Sequence, residues 1–254
     1  MPQDEEPGLF EHLPDAIPPL KDFDLRQQLL QWNLSERLKL LRFRVKRRIS
    51  TEDDERDVID AFFQDGNVQR LLNLPSEGWV SKDGAVEWKQ LRVTVTTMAF
   101  FDKLVNAGIV GANGALRRCL DEVFDGCTAS DLLREMLVNP DSENRDVFSE
   151  DGEQDEFLFQ LFRALVIGGP MSQSDETIQP YEAVTRTLYK ALVSVKKNAA
   201  DRTVIDVTSH VYAAQMPSRA PLFPSPSPLH SCFVVVDPKK RWLTVWYHPF
   251  IPFW

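Results

Sequence analysis

The dipeptide Asp237-Pro238, set between two apolar runs of similar length, restricts this chain more than any other feature. Residues 232–236 read Cys-Phe-Val-Val-Val, and residues 241–248 alternate Leu243, Val245 and Tyr247 with Trp242, Thr244 and Trp246. Asp and Pro suit the first two positions of a type I turn, so 232–248 is predicted to be a β-hairpin. Upstream, 203–213 carries Ile205, Val207 and Val211 on one side and Asp206, Thr208, His210 and Tyr212 on the other. Residues 90–97 alternate Leu91, Val93 and Val95 with Gln90, Arg92 and Thr94. Most of what precedes the C-terminal strands has helical spacing. Helices first and strands last predict an α+β fold, a single compact domain. Its helices, N-terminal and central, pack on a mostly antiparallel sheet built from the C-terminal strands plus 90–97, which ties the two halves together.

The helical segments follow from apolar spacing. Leu34, Leu38, Leu41, Val45 and Ile49 place one helix within 23–49. Asp57–Phe63 forms a short helix ending near Gly66, and 98–107 is stopped by Gly108. In 115–125, Leu116, Cys119, Leu120 and Val123 share a side, and Thr128 with Asp131 can form a capping box for Asp131–Val138. Residues 155–167 bury Phe157, Leu158, Leu161, Phe162 and Leu165 before the break at Gly168-Gly169-Pro170. Residues 178–193 present Tyr181, Val184, Leu188 and Leu192. Proline marks the edges. Residues 1–20 are expected to be a disordered segment, 21–248 the globular domain, 217–228 a Pro-rich loop and 249–254 an apolar tail. Removing 250–254 is expected to be tolerated.

Several chemistries lack their residue patterns. Three cysteines make no disulfide framework and suit a reducing compartment. No apolar run reaches the ~18 residues of a membrane span, and the acidic start Met1-Pro2-Gln3-Asp4-Glu5-Glu6 is neither a signal peptide nor a presequence. Cys232, near His230 and His248, is the one thiol–imidazole arrangement, but it opens a buried-looking strand and has no oxyanion loop. Zinc ligands at paired spacing are missing. The acids of 141–156 lack the register of a calcium loop and read as a solvated loop leading into a helix N-terminus. Gly108, Gly111 and Gly114 follow a helix rather than a strand and read as a helix–helix connection, not a phosphate cradle. No catalytic, cofactor-binding or metal residue is therefore assigned, and no cofactor is expected.

Two features point to binding. Positions 37–48 hold seven cations and no acid: Arg37, Lys39, Arg42, Arg44, Lys46, Arg47 and Arg48. The remaining chain has 22 basic against 38 acidic side chains, so this basic helix is a positive stripe on a negative body. It can contact a phosphate backbone or anionic membrane, dock an acidic partner, or be matched internally by Glu52, Asp53, Asp54, Glu55 and Asp57. Arg37, Arg44 and Arg48 fall together on the outer face of such a helix. The second feature is the aromatic C-terminus, where Trp242 and Trp246 share a strand face beside Arg241. Candidate partner-binding residues are thus Arg37, Lys39, Arg44, Arg48, Arg241, Trp242 and Trp246.

Five blocks in collinear order resemble the cilia- and flagella-associated protein 300 family. They are Gln31-Trp32 with Arg37, Lys39 and Phe43; Ala61-Phe62-Phe63 with Asp65, Asn67 and Val68; Met98-Ala99-Phe100-Phe101; Glu156–Phe159 through Gly168-Gly169, Gln173, Pro180-Tyr181, Thr185 and Tyr189-Lys190 to Lys197-Asn198; and Val236-Asp237-Pro238, Arg241, Leu243, Val245 and Tyr247-His248. The resemblance covers about residues 23–248 and leaves out the Pro-rich 217–228 segment and the tail. It implies a non-enzymatic factor for assembly of outer and inner axonemal dynein arms, found in cytoplasm and cilium. The implied partners are dynein axonemal assembly factors of the PIH-domain class, the intraflagellar transport machinery and dynein arm subunits. Neither a nucleic-acid partner nor a membrane span is expected; the alternative function is a binding module for nucleic acid or anionic membrane through the basic helix 37–48.

Overall fold

The computed structural model describes residues 8–75, 86–197, 205–215 and 222–252. Its strands are β1 (Phe10–His12), β2 (Lys39–Val45), β3 (Trp88–Leu91), β4 (Arg118–Phe124), β5 (Cys127–Asp131), β6 (Val195–Lys197), β7 (Ile205–Val207), β8 (His210–Ala214), β9 (Ser231–Asp237) and β10 (Trp242–His248). The α-helices are α1 (Phe23–Gln31), α2 (Glu52–Gln64), α3 (Gly66–Leu72), α4 (Lys103–Asn106), α5 (Leu132–Val138), α6 (Phe157–Ile167) and α7 (Gln179–Leu192). The fold is α+β, a single compact domain.

The hairpin forms as read, with Trp242 opposite Asp237 and His248 opposite Ser231. It lies inside a six-stranded antiparallel sheet ordered β1-β2-β10-β9-β8-β3. Strand alternation sends successive side chains to opposite faces, and here both faces are covered. Leu40, Val211, Phe233, Val235 and Trp246 join the larger cluster with α1, α5, α6 and α7. Phe43, Val45, Tyr212, Val234, Val236, Leu243, Val245 and Tyr247 join a second cluster under α2 and α3. Aromatic edges lock that second layer, with Phe43 and Phe62 ring centroids 4.9 Å apart. Glu55 of α2 reaches the sheet as well, accepting from Tyr212 Oη at 2.6 Å and His210 Nδ1 at 2.8 Å.

Several expectations are corrected. The single helix within 23–49 is α1, then a turn, then strand β2. Leu41, Phe43 and Val45 also fit a period of two, and β2 is held by pairing with β10 from Tyr247↔Lys39 to Trp242↔Arg44. Residues 115–125 are not helical: β4 and β5 form a hairpin around Asp125-Gly126, both at positive φ. Leu120 is accordingly 85% exposed. Thr128 sits within β5, and Asp131 alone caps α5 by accepting from Arg134 N–H at 2.9 Å. The glycines 108–114 connect α4 to β4, a helix to a strand. Of residues 90–97, only Gln90 and Leu91 lie in a strand, as the end of β3, which pairs with β8. Beyond it, the N–H groups of Thr94 and Val95 bond the buried Glu156 carboxylate instead of a neighbouring strand. The 203–213 strand is two strands, since β7 pairs with β6 and β8 with the main sheet. Within the segment expected to be disordered, Phe10–His12 is strand β1, paired with β2; residues 1–7 lie outside the described residues.

Gly168-Gly169 does more than stop α6. A Cβ on Gly168 would lie 2.6 Å from the Trp32 carbonyl oxygen, and one on Gly169 would lie 2.2 Å from that of Asn33. The bare backbones therefore meet, and Gly169 N–H donates to Trp32 O at 2.9 Å. Asp175, next in this loop, accepts from Gln28, Gln31 and the Trp32 indole, the last at 2.7 Å. The N-terminal helix is thereby bound to the centre of the chain.

The tail docks. Phe250 is 0% exposed and packs with Cys127, Ala129, Val138, Ile167 and Leu229. Its N–H donates to His230 Nδ1 at 2.9 Å. Removal of 250–254 is therefore not neutral, contrary to the sequence expectation. Phe250→Ala should destabilise the protein by about 3 kcal/mol, measured by urea unfolding; an unchanged midpoint would show that the tail contributes nothing. Ending the chain after Asp237 removes an interior strand flanked by β2 and β9, so that fragment should show no cooperative melting transition in calorimetry.

Candidate interaction cleft

The hairpin turn and the end of β2 build one depression at one end of the sheet. Asp237 Oδ1 accepts from the N–H groups of Lys239 and Lys240, each at 3.0 Å, which fixes the turn after Pro238. Arg241 closes the turn in the left-handed region at φ 54°. This conformation costs a non-glycine residue about 1 kcal/mol or more. It is held by Val45 N–H, which donates to the Arg241 carbonyl at 2.8 Å. Arg48, Ile49, Ser50, Pro238, Lys239 and Arg241 then line a cleft of about 400 Å³. Ile49 is its buried floor. Arg48, Lys239 and Arg241 are exposed, and their side chains have no hydrogen bond or ion pair among the described residues. Three unpaired cations thus face one cleft on a chain of net charge −9.

The predicted site residues separate. Arg48 and Arg241, 193 positions apart in sequence, come together. Arg44, exposed on β2, pairs with Glu11 at 3.6 Å. Arg37 donates to the Ile251 carbonyl at 2.9 Å and serves the tail. Lys39 begins β2 opposite Tyr247. These cations do not share the face of a basic helix, because 39–45 is a strand. Arg42 points inward, donating to Thr244 Oγ1, Ala16 O and Ala191 O at 2.7–2.9 Å. Internal matching by the 52–57 acids occurs at Arg47, 3.8 Å from Asp57.

Trp246 is corrected outright. It is 1% exposed, donates to Ser231 Oγ at 2.9 Å and cannot contact a partner. Trp242 is half-buried, with the Arg42 and Lys240 cations 4.7 and 4.8 Å from its ring centre. Lys239 was missed in the sequence. Its signal was present in the Asp-Pro-Lys-Lys-Arg run, where a type I turn projects consecutive cations outward.

The thiol–imidazole arrangement does not assemble. Cys232 lies in the cluster under α2, and burial alone pushes its thiol pKa up. Tyr247 is its cross-strand partner, so His248 belongs to the opposite face. His230 is held by backbone: its Nε2 donates to Ser225 O at 2.6 Å, and its Nδ1 accepts from Phe250. Among the described residues, no group of three or more His, Cys, Asp or Glu side chains converges to hold a metal. The acids of 141–156 are partly paired rather than merely solvated. Glu150 and Glu153 accept from Lys103, Asp155 meets Lys89, and Glu156 is buried beside Arg92. No helix among the described residues is long and apolar enough to cross a membrane.

Fold and site define a single-domain α+β protein with a basic cleft on an acidic surface. The family model described as "Cilia- and flagella-associated protein 300" matches residues 9–248, and the chain belongs to that family. A protein of that name from Chlamydomonas reinhardtii is 31% identical over 245 residues, covering 92% of this chain and 95% of the relative. One from Paramecium tetraurelia is 29% identical over 235 residues, covering 89% and 91%. No solved structure matches the chain. Membership gives a protein associated with cilia and flagella.

Two histidines of the main sheet, His210 on β8 and His248 on β10, give the fold a pH signature. Burial, then the nearby His230 and Arg37, pushes the His248 pKa down from 6.5 to about 3. The folded state requires neutral His248, so its contribution is whole above about pH 6.5 and drains as pH falls toward 3. His210 has the opposite sign, because its hydrogen bond to Glu55 raises its pKa; that contribution is present below pH 6.5 and is lost as pH rises through the folded value. His248→Asn should therefore lose less Tm than wild type between pH 7 and pH 4. Parallel Tm curves for the two proteins would refute the assignment.

Proposed function

We propose that this protein is a non-enzymatic assembly and adaptor factor for outer and inner axonemal dynein arms, acting in the cytoplasm and during delivery to the cilium. Its partners in this reading are dynein axonemal assembly factors of the PIH-domain class, together with intraflagellar transport proteins and dynein arm subunits. The observation that carries the reading is the collinear family match across residues 9–248. The Arg48–Lys239–Arg241 cleft adds a physical means of contact, since unpaired cations on an acidic body select an acidic surface and speed encounter with it. Individually, exposed charge pairs contribute about 0–1 kcal/mol, so recognition rests on the three together.

Replacing Arg48, Lys239 and Arg241 by Glu reverses the cleft while leaving both core clusters intact. The triple variant should keep its melting temperature to within about 2 °C, because surface charges change stability by less than ~0.5 kcal/mol. Expressed in place of the wild-type protein in ciliated cells, it should lose at least tenfold in co-purified assembly factors and leave axonemes short of dynein arms. Normal arms in cells expressing the stable variant would remove the cleft from this function. Arms still present after complete loss of the protein would remove the function itself. Salt-sensitive binding of wild-type protein to duplex DNA or anionic vesicles, abolished in the variant, would move the cleft to the other partner class.

A further inference from the structure

A second cavity, sharing no residue with the basic cleft, lies between α5, α6 and the loop 139–148. Its volume is about 320 Å³, within the range of about 300–1,000 Å³ typical of small-ligand pockets. Met136, Leu137, Phe148 and Phe159 give it an apolar wall, and Arg163 of α6 enters it one helical turn after Phe159 and Gln160.

The polar side chains around this wall are bonded, except those of Arg163 and Asp125. Arg145 donates to the Pro140 carbonyl, Gln160 to the Gln154 carbonyl at 2.6 Å, and Asn139 to Glu135 Oε1 at 2.6 Å. Arg163 makes no hydrogen bond or ion pair among the described residues, although its guanidinium carries five donors. Burial lowers its pKa, yet a guanidinium stays protonated, so the half-buried Arg163 puts a partly desolvated positive charge on the cavity wall with no ion-pair partner in reach. The nearby Cys127 does not serve as counter-ion, because burial raises its thiol pKa and keeps it neutral. Asp125 lines the cavity without reaching ion-pair distance.

From this geometry we infer that the cavity binds a single carboxylate carried on an apolar body, with Arg163 as its anchor. One free guanidinium matches one carboxylate, which it can grip through two parallel N–H donors. The Asp125 charge disfavours a second anionic group, and the apolar wall receives the body of the ligand. An acidic residue beside an apolar one in a partner peptide has this chemistry, and so does a free aromatic or aliphatic acid. The inference is independent of the dynein-arm reading.

The test uses the full chain and four probes: 3-phenylpropanoate, its uncharged amide, hexanoate, and the blocked dipeptide acetyl-Phe-Glu-amide. Calorimetric titration should show at least one carboxylate probe binding ten times or more tighter than 3-phenylpropanamide. Arg163→Gln should lower carboxylate affinity to the level of the amide, and Arg163→Lys should keep part of it. Tighter binding of the blocked dipeptide assigns the site to a partner peptide; tighter binding of a free acid assigns it to a small ligand. Equal affinity for 3-phenylpropanoate and its amide, no binding by any probe, or an R163Q variant that binds like wild type would each overturn the site. Should R163Q fail to melt cooperatively, the Arg163 Nε–Hε resonance of the wild-type protein decides. It must shift with carboxylate and not with amide, and a stationary resonance overturns the proposal.

Discussion

The pairing of β10 with β2 holds the rest of the molecule in place. It joins residues 39–45 to residues 242–248, so two segments about two hundred residues apart meet inside the sheet rather than at its edges. Closing so long a loop costs entropy that grows only slowly with length. The return is a sheet interior whose two faces each have a helical layer to bury against. Without β10, β2 has no neighbour but the three-residue β1, and the cluster under α2 loses Leu243, Val245 and Tyr247 at once. Arg42 reinforces the same seam. Its buried guanidinium bonds one group from each of three separate segments, at Ala16, Thr244 and Ala191. A buried charge that makes a hydrogen bond from each of its three nitrogens is tolerable, whereas removing those partners would impose the full desolvation penalty.

Two buried or half-buried carboxylates act as local organisers elsewhere. Glu156 accepts the N–H groups of Thr94 and Val95, and Asp175 gathers donors from the end of α1. Both lie far in sequence from the groups they bind, and each fixes a loop with no strand or helix of its own. Glu156, Gly168-Gly169 and Gln31-Trp32 all fall in the blocks that resemble the family. Their structural roles explain why those residue types are needed: an acceptor with two oxygens, a backbone without Cβ, and an indole donor.

The basic cleft depends on the same seam. Arg48 follows β2, and Lys239 and Arg241 belong to the β9–β10 turn, so the register of β2 on β10 brings the three cations to one place. The cavity under Arg163 depends instead on the packing of α5 against α6. The molecule therefore offers two chemically different surfaces, one multiply cationic and open, the other apolar with a single charge. They are set by different parts of the fold.

Much of the architecture was legible in the residues themselves. The Asp237-Pro238 turn, the alternation of 241–248, the apolar run of α6 and the Tyr181–Leu192 face of α7 each carry their structure locally, because turn chemistry and side-chain periodicity act over a few residues. The Asp125-Gly126 hairpin was equally local, and was masked by an apolar spacing that also fits a helix. Tertiary structure alone decided the state of 39–45, whose apolar positions satisfy periods of both 3.6 and 2; the open edge of β10 settled it by supplying a partner for every other backbone group. It decided too which cations remain free. Arg37, Arg42, Arg44 and Arg47 are engaged by groups ranging from seven to more than two hundred residues away, and Arg48 is not. A charge's sequence position says that it exists; only the fold says what faces it, because a direct ion pair or hydrogen bond needs its partners within a few ångströms and those distances are set by the packed chain.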